Sequence, residues 1–387
     1  MKLLITSVDA IIDFRTNAPF AGIIEVLDFF KSLEQGNEVV VISSHEDKLT
    51  LLPKEISAVQ FAARHRGSNS PIESFLATQS DYNDRSKIIV LAANDADFLT
   101  AVNTKLLMLG AGYAKENEPY SKAYKYGLQI ASVQGLRLFF ERFFTIKNPW
   151  YYRLDLGNAY RVYSLTNANT KGYRSQNTIQ LNLKFKQCLK EGNEDTRNSF
   201  VAYFMMGIYD IVNEVENIDF WATYPSSSVE QESDLDYFKE LARTTFKIRA
   251  KDPLFIRYKK AEKRSTIYNA SQRISDGCEN QFDTMHLNPK YRNKLKGKTV
   301  GVIDDFTSYG TSGETIRMLL SEAGVDKIIF LTLGKFGKLY YKYNYVISGD
   351  VFAHNYSAKR IGQPELLTGR FNDASDEAFV NSLKGIV

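Results

Sequence analysis

The chain has 387 residues, 44% of them hydrophobic, with 49 lysines and arginines against 45 aspartates and glutamates and a formal net charge of +4. That length supports two or three buried cores, and a charge so close to balance argues against nucleic acid as the main partner. Cys188 and Cys278 lie far apart and without metal-ligand spacing, which speaks against a disulfide framework or a zinc site. No run approaches the roughly 20 apolar residues of a membrane span, and Asp9 and Asp13 interrupt the apolar start well short of a secretory core. The expectation is a cytoplasmic α/β protein with no membrane partner.

Lys2 to Val8 reads as a strand, Gly22 to Leu33 as an amphipathic helix with Ile23, Ile24, Leu27, Phe30 and Leu33 inward, and Glu38 to Ile42 as a buried strand ended by Ser43 and Ser44. Lys87 to Leu91 makes another strand and Leu106 to Leu109 a fourth. Strands alternating with helices imply a parallel, doubly wound sheet whose ligands sit at the carboxyl ends of the strands. Those ends carry Ser7 and Asp9, then Ser43, then Asn94, Asp95 and Asp97, then Gly110. The polar stretch Ala114 to Ser121, with Pro119, marks a boundary. Lys122 to Phe144 has helical spacing at Tyr124, Leu128, Ala131, Leu136, Phe139, Phe140 and Phe143, which Gly127 and Gly135 weaken unless packing holds it.

Pro149 and Trp150 mark the next break. From Tyr151 to Asn193 the reading stays open: Ile179, Leu181, Leu183 and Phe185 alternate as a strand would, and a helix fits as well. Asp195 or Thr196 would cap a helix running to about Val215, with Val201, Phe204, Met205, Ile208, Ile211 and Val212 on its buried side. Ile218 to Tyr224 reads as a buried strand entering the hydroxyl-rich turn Pro225, Ser226, Ser227, Ser228, and a helical segment with Phe238, Leu241 and Ala242 follows. Lys247 to Arg264 is dense in cations: Lys247, Arg249, Lys251, Arg257, Lys259, Lys260, Lys263 and Arg264 against Asp252 and Glu262. Such a run is a solvated face, a nucleic-acid patch or an anion clamp.

The run Val300 to Thr315, VGVIDDFTSYGTSGET, is the most informative in the chain. An apolar strand ends in two adjacent carboxylates, then come hydroxyl and glycine residues, then a helical pattern. A ribose 5-phosphate needs donors for its phosphate and acceptors for its vicinal hydroxyls. Backbone N–H groups from Ser308 to Gly313 at a helix N-terminus would supply the donors, with the side chains of Ser308, Thr311 and Ser312. Asp304 and Asp305 would supply the acceptors, and Gly310 and Gly313 let the backbone approach the ligand. The plainer reading is an ordinary strand, turn and capped helix.

This segment resembles the phosphoribosyl diphosphate (PRPP) motif of type I phosphoribosyltransferases, and the order of segments around it resembles their competence-associated branch. The resemblance implies that Asp304 and Asp305 contact the ribose hydroxyls and act in catalysis. It implies that Ser308, Tyr309, Gly310, Thr311 and Ser312 wrap the 5-phosphate, that Ser226, Ser227 and Ser228 hold the pyrophosphate, and that Arg257, Lys259, Lys260, Lys263 and Arg264 lie on a mobile basic loop closing over it. Tyr309 departs from the family's usual threonine and narrows the cradle. The implied cofactor is Mg²⁺ brought with PRPP, with no protein side chain assigned as its ligand. A variable hood covering the acceptor would come from Tyr151 to Asn193 or from the tail after Gly349, which holds His354, Tyr356, Lys359 and Arg360.

The first third resembles the haloacid dehalogenase (HAD) phosphatase fold with a damaged site. Ser7 stands where that family has its nucleophilic aspartate, Asp9 takes the second acidic position, Ser43 the phosphate-binding hydroxyl, and the later Gly-Asp falls on Ala92-Ala93 with Asp95 and Asp97 nearby. The family's lysine has no certain counterpart. Without the first carboxylate no aspartyl phosphate forms, and the serine in its place is expected to lack an adjacent base and to be a weak nucleophile. None of the histidines (45, 65, 286, 354) forms a metal set or a triad, and a surface position suits His286.

The expected architecture is therefore α/β: two doubly wound parallel-sheet domains, HAD-like over 1–118 and phosphoribosyltransferase-like over 150–387, joined by a helical connector over 119–149. The expected function is binding of PRPP or another ribose phosphate and transfer of the phosphoribosyl group to an unidentified nitrogen acceptor, beside a catalytically silent HAD-like domain. The alternative is a non-catalytic PRPP or nucleotide sensor in a bacterial stress or phage-defence system. A protein or nucleic-acid partner and a homo-oligomer stay open.

Overall fold

The computed structural model describes residues 1–43, 45–54, 56, 59–62, 71–78, 84–169, 175–190, 194–229, 235–262 and 269–383. By contact the chain divides into two compact units, one of Met1–Lys147, Asn198–Glu216 and Leu241–Lys247, the other of Asn148–Arg197, Asn217–Glu240 and Ile248–Val387. Both are mixed α/β.

The first unit runs β1 (Leu3–Ser7), α1 (Ile23–Ser32), β2 (Glu38–Ser43), β3 (Val59–Ala62), β4 (Ile88–Ala92), α2 (Asp95–Thr104), β5 (Leu107–Ala111), β6 (Leu128–Ile130) and α3 (Val133–Arg142). These six strands form one sheet in the order β3-β2-β1-β4-β5-β6, and every neighbouring pair is parallel. Parallel strands covered on both faces read as continuous apolar runs, and Leu3, Ile5, Val40, Ile42, Ile88 and Val90 share one core. α1 buries Ile23, Val26, Leu27 and Phe30, and Phe30 meets Phe140 of α3 with ring centroids 4.9 Å apart. Ile24 and Leu33, expected inward, are only half-buried, because the stripe runs through Val26.

Residues 119–149 are not a continuous helical connector. A short helix (Lys122–Tyr126) stops at Gly127, and the next three residues form β6 on the sheet edge. The stop is steric: a Cβ at Gly127 would lie 2.8 Å from the backbone nitrogen of Gly110 on β5, so only glycine lets the two segments approach.

The second unit contains β7 (Tyr152–Leu156), β8 (Tyr160–Asn167), α4 (Gln176–Lys190), β9 (Phe220–Thr223), β10 (Phe255–Arg257), β11 (Met285–Leu287), β12 (Thr299–Thr307), α5 (Thr311–Glu322), β13 (Lys327–Lys335), β14 (Arg370–Phe371) and α6 (Ala374–Leu383). Two further helices, Glu194–Asp210 and Leu235–Thr245, have their residues divided between the units. The large sheet has the order β9-β12-β13-β8-β7-β14. β9, β12, β13 and β8 run parallel, while β7 and β14 add an antiparallel edge. The open segment from Tyr151 thus resolves into two sheet strands and a helix; Ile179 to Phe185 is helical.

Register positions the site. Thr223 pairs with Ile303, Asp304 with Thr332, and Thr307 with Lys335. The carboxyl ends of three neighbouring parallel strands therefore carry the Pro225 to Ser228 turn, the Asp304-Asp305 pair with the 308–312 turn, and Lys335.

Candidate functional site

β12 is apolar up to Ile303 because it is a central strand, and its pleat sends Asp304 inward and Asp305 out. Asp304 is 5% exposed. It accepts a bond from the Asp305 amide at 2.9 Å, and Asp305 accepts from the Phe306 amide at 2.6 Å. Burial, reinforced by the charge of Asp305, pushes the Asp304 carboxyl well above its ordinary range. Such a group favours an added hydroxyl donor or cation, either of which stabilises its ionised form.

Ser308 to Gly310 form the turn between β12 and α5, and Thr311 and Ser312 are the first residues of α5, together the 308–312 turn; Gly310, the residue before the helix, has a φ of 91°. The helix thus opens with its N–H groups directed out of the turn, the arrangement that favours an anion. The glycines have a further cause. A Cβ at Gly310 would stand 2.7 Å from the Tyr340 ring, and one at Gly313 would stand 2.9 Å from both Phe330 and the Tyr340 hydroxyl. The missing side chains make room for aromatic packing beneath the turn. There the hydroxyls of Tyr160 and Tyr340 lie 3.1 Å apart, and Tyr340 donates to the fully buried Glu314 at 3.0 Å. Arg317 binds the same carboxylate at 2.7 Å. Tyr309 faces Tyr341, its carbonyl accepting the Tyr341 amide at 3.0 Å and the rings 6.2 Å apart.

The Pro225 to Ser228 turn is self-bonded, the Ser228 amide donating to the Ser226 hydroxyl at 3.2 Å. Arg257, expected on a mobile loop, is instead 6% exposed at the end of β10, which pairs antiparallel with β11. Its guanidinium donates to the carbonyl of Ser226 at 2.6 Å, to Thr284 Oγ1 at 2.5 Å and to Gln281 Oε1 at 3.0 Å. A planar fork so occupied cannot close over a ligand; Arg257 braces the turn. Lys259 and Lys260 are exposed, while Lys263 and Arg264 lie outside the described residues. Tyr224 joins the clusters: its hydroxyl donates to Gln281 at 2.6 Å, and the charges of both Arg257 and Asp304 act on it while burial raises its pKa. His286, expected at the surface, is buried on β11.

Sequence reasoning passed over Lys335, the last residue of β13. It is fully buried, and its ammonium donates to the carbonyls of Ser308, of Phe336 at 2.8 Å and of Leu339 at 2.9 Å. Burial pulls its pKa down to about 7. The only sequence signal is a charge closing the apolar run KIIFLTLGK.

In the first unit Ser7, Asp9, Ser43, His45, Lys48, Asn94, Asp95 and Glu118 line a pocket of about 170 Å³. Ser7 does have a carboxylate beside it, contrary to expectation: its hydroxyl donates to Asp97 at 2.6 Å. That oxygen also accepts the Ala93 amide at 3.0 Å, which makes it an anchored acceptor. Lys48 pairs with Asp9 at 3.0 Å and is the basic residue of the pocket that sequence alone did not find.

Asp304 and Asp305 are hard oxygen donors of the kind Mg²⁺ takes. Among the described residues no group of three or more His, Cys, Asp or Glu side chains is placed to hold a metal. These residues fit an ion held largely by oxygens of its ligand. Among the described residues no helix is long and apolar enough to cross a membrane. No family model matches the chain, and no curated protein matches it.

Proposed function

We propose that the second unit binds PRPP with Mg²⁺ and transfers its phosphoribosyl group to a nitrogen acceptor. The observation that carries this reading is the convergence of a serine turn, a buried aspartate with its neighbour, and a helix-opening turn at the carboxyl ends of adjacent parallel strands, where ligands of parallel sheets are met. The doubly wound assignment and the HAD and phosphoribosyltransferase folds belong to the same proposal. The 308–312 turn would receive the 5-phosphate, Asp304 and Asp305 the ribose hydroxyls, and the Ser226 to Ser228 turn the pyrophosphate. When bound with the ligand, Mg²⁺ supplies positive charge against the leaving pyrophosphate. Negative charge at Asp304 and Asp305 would stabilise the cationic character of the ribosyl carbon as that bond lengthens.

Calorimetric titration of PRPP and Mg²⁺ into the wild type and into the double variant Asp304→Asn, Asp305→Asn tests it. Saturable binding that disappears in the variant is expected. Binding by neither protein, both folded, would sink the reading.

One observation favours a non-catalytic sensor: Arg257 is committed to bracing the pyrophosphate turn, which leaves Lys259 and Lys260 as the exposed cations beside it among the described residues. PRPP binding without pyrophosphate release across a panel of nitrogen acceptors would select that alternative. The first unit, with serine in place of a nucleophilic aspartate, is assigned no phosphatase activity in either case.

A further inference from the structure

We propose that Lys335 is the positioning residue of the 308–312 turn, its buried ammonium clasping the turn to the following loop and so fixing the direction of the N–H groups that would meet an anion. For the identity of that anion the inference rests on the PRPP reading; for the clasp itself it rests on geometry.

An ammonium has three N–H donors, and Lys335 finds three carbonyls: Ser308 at the start of the turn, and Phe336 and Leu339 in the loop after β13. A second lace runs beside it, the Tyr341 amide to the Tyr309 carbonyl. The Phe336 amide donates to Thr307 at 2.8 Å, closing a third. The two backbone laces act at Thr307 and Tyr309, and the Ser308 carbonyl between them is turned toward Lys335.

No carboxylate pairs with Lys335 among the described residues. Among the described residues the aromatic ring facing it is that of Tyr152 on β7, whose centroid lies 5.4 Å from the ammonium. The charge is therefore held by carbonyl dipoles and one ring face, with nothing of opposite sign to keep the proton on. That is why burial brings its pKa to about 7. Above that pH the neutral amine has two donors for three acceptors, and one carbonyl of the clasp goes unpaired. Below it the clasp is complete. The turn is thus tightened by acid and loosened by base across the neutral range.

Hydrogen–deuterium exchange of the Glu314, Phe336 and Tyr341 amides, which donate to the carbonyls of Gly310, Thr307 and Tyr309, reads the clasp without any ligand. After correction for intrinsic rates, those amides are expected to exchange at least tenfold faster in Lys335→Met than in wild type at pH 6, with peptides from β12 and β13 unchanged. Wild type alone gives a second arm, which decides should the variant fail to fold: protection of the turn at pH 6 should fall by pH 8.5. Equal turn protection in both proteins, or in wild type at both pH values where the variant cannot be made, overturns the clasp. Titration with PRPP and Mg²⁺ is then expected to show affinity at least tenfold weaker in Lys335→Met. A turn that loosens as expected in a wild-type protein that binds no PRPP would refute the ligand and leave the clasp standing.

Discussion

Gly310 holds a left-handed backbone above the ring of Tyr340, so alanine there meets two penalties, the strained φ and an overpacked contact. Gly157 shares the positive φ but faces open space. We expect Gly310→Ala to lower the unfolding free energy by about 3 kcal/mol and Gly157→Ala by about 1 kcal/mol, both read from urea denaturation; equal losses would mean the ring contact is relieved at no cost. Asp304, Asp305 and the hydroxyl turn were legible in the sequence because their chemistry is contiguous. Lys335 was not, since nothing near it in the chain tells that its ammonium will be enclosed. The burial comes from β8 and β12, which flank β13 and lie far from each other in sequence. Arg257 was misread for a related reason: a cation in a basic run looks like its neighbours until Thr284 and Gln281 are folded against it.

At the scale of elements, the antiparallel pair β10–β11 separates two kinds of cation. Arg257→Met strands the Ser226 carbonyl and leaves Gln281 Oε1 with the Tyr224 hydroxyl alone, and we expect it to cost roughly 2 to 3 kcal/mol of stability, measured by chemical denaturation. The pair Lys259→Ala, Lys260→Ala should move stability by no more than about 0.5 kcal/mol and instead weaken PRPP binding with a shallower dependence on salt. The reverse pattern would make Arg257 the mobile clamp after all. Strong apolar runs such as Glu38–Ser43 and Thr299–Thr307 announced themselves. β3 and β6 did not, being short and mixed in polarity, and β6 depends on a glycine-to-glycine approach that only the folded sheet reveals. Helix Gln176–Lys190 hid behind a local alternation of apolar residues, a pattern that four positions cannot distinguish from helical spacing.

At the scale of the molecule, Lys335 links local and global behaviour with opposite signs. Its folded pKa of about 7 lies below the unfolded value, so from about pH 7 to about pH 10 the unfolded chain holds the extra proton and stability from this group rises with pH, by up to about 1.4 kcal/mol per unit. Urea midpoints should therefore climb more steeply between pH 7 and 9 in wild type than in Lys335→Met, while the turn itself loosens over the same range; parallel pH profiles would contradict this. The break near Pro149 was legible from composition, since the first unit's leading segment ends at Lys147. The later segments of that unit were not, because membership is decided by contacts such as Tyr209 hydroxyl to the Lys105 carbonyl at 3.2 Å and Lys105 to the Glu216 carbonyl at 2.6 Å. A fragment ending at Lys147 lacks both partners, and circular dichroism should show it melting earlier and less cooperatively than the first unit within the full chain.

That scattered membership also sets an order of events at the ribosome. Strands β1 to β6 can pair as they emerge, yet their unit is complete only once Leu241–Lys247 have been synthesised, by which time β8 and β9 have been made and still wait for β13 and β12. Nascent chains of this protein therefore carry two unfinished sheets at once, with apolar strand edges open to mispairing, and its yield in a cell should depend on chaperone supply more than its length alone suggests.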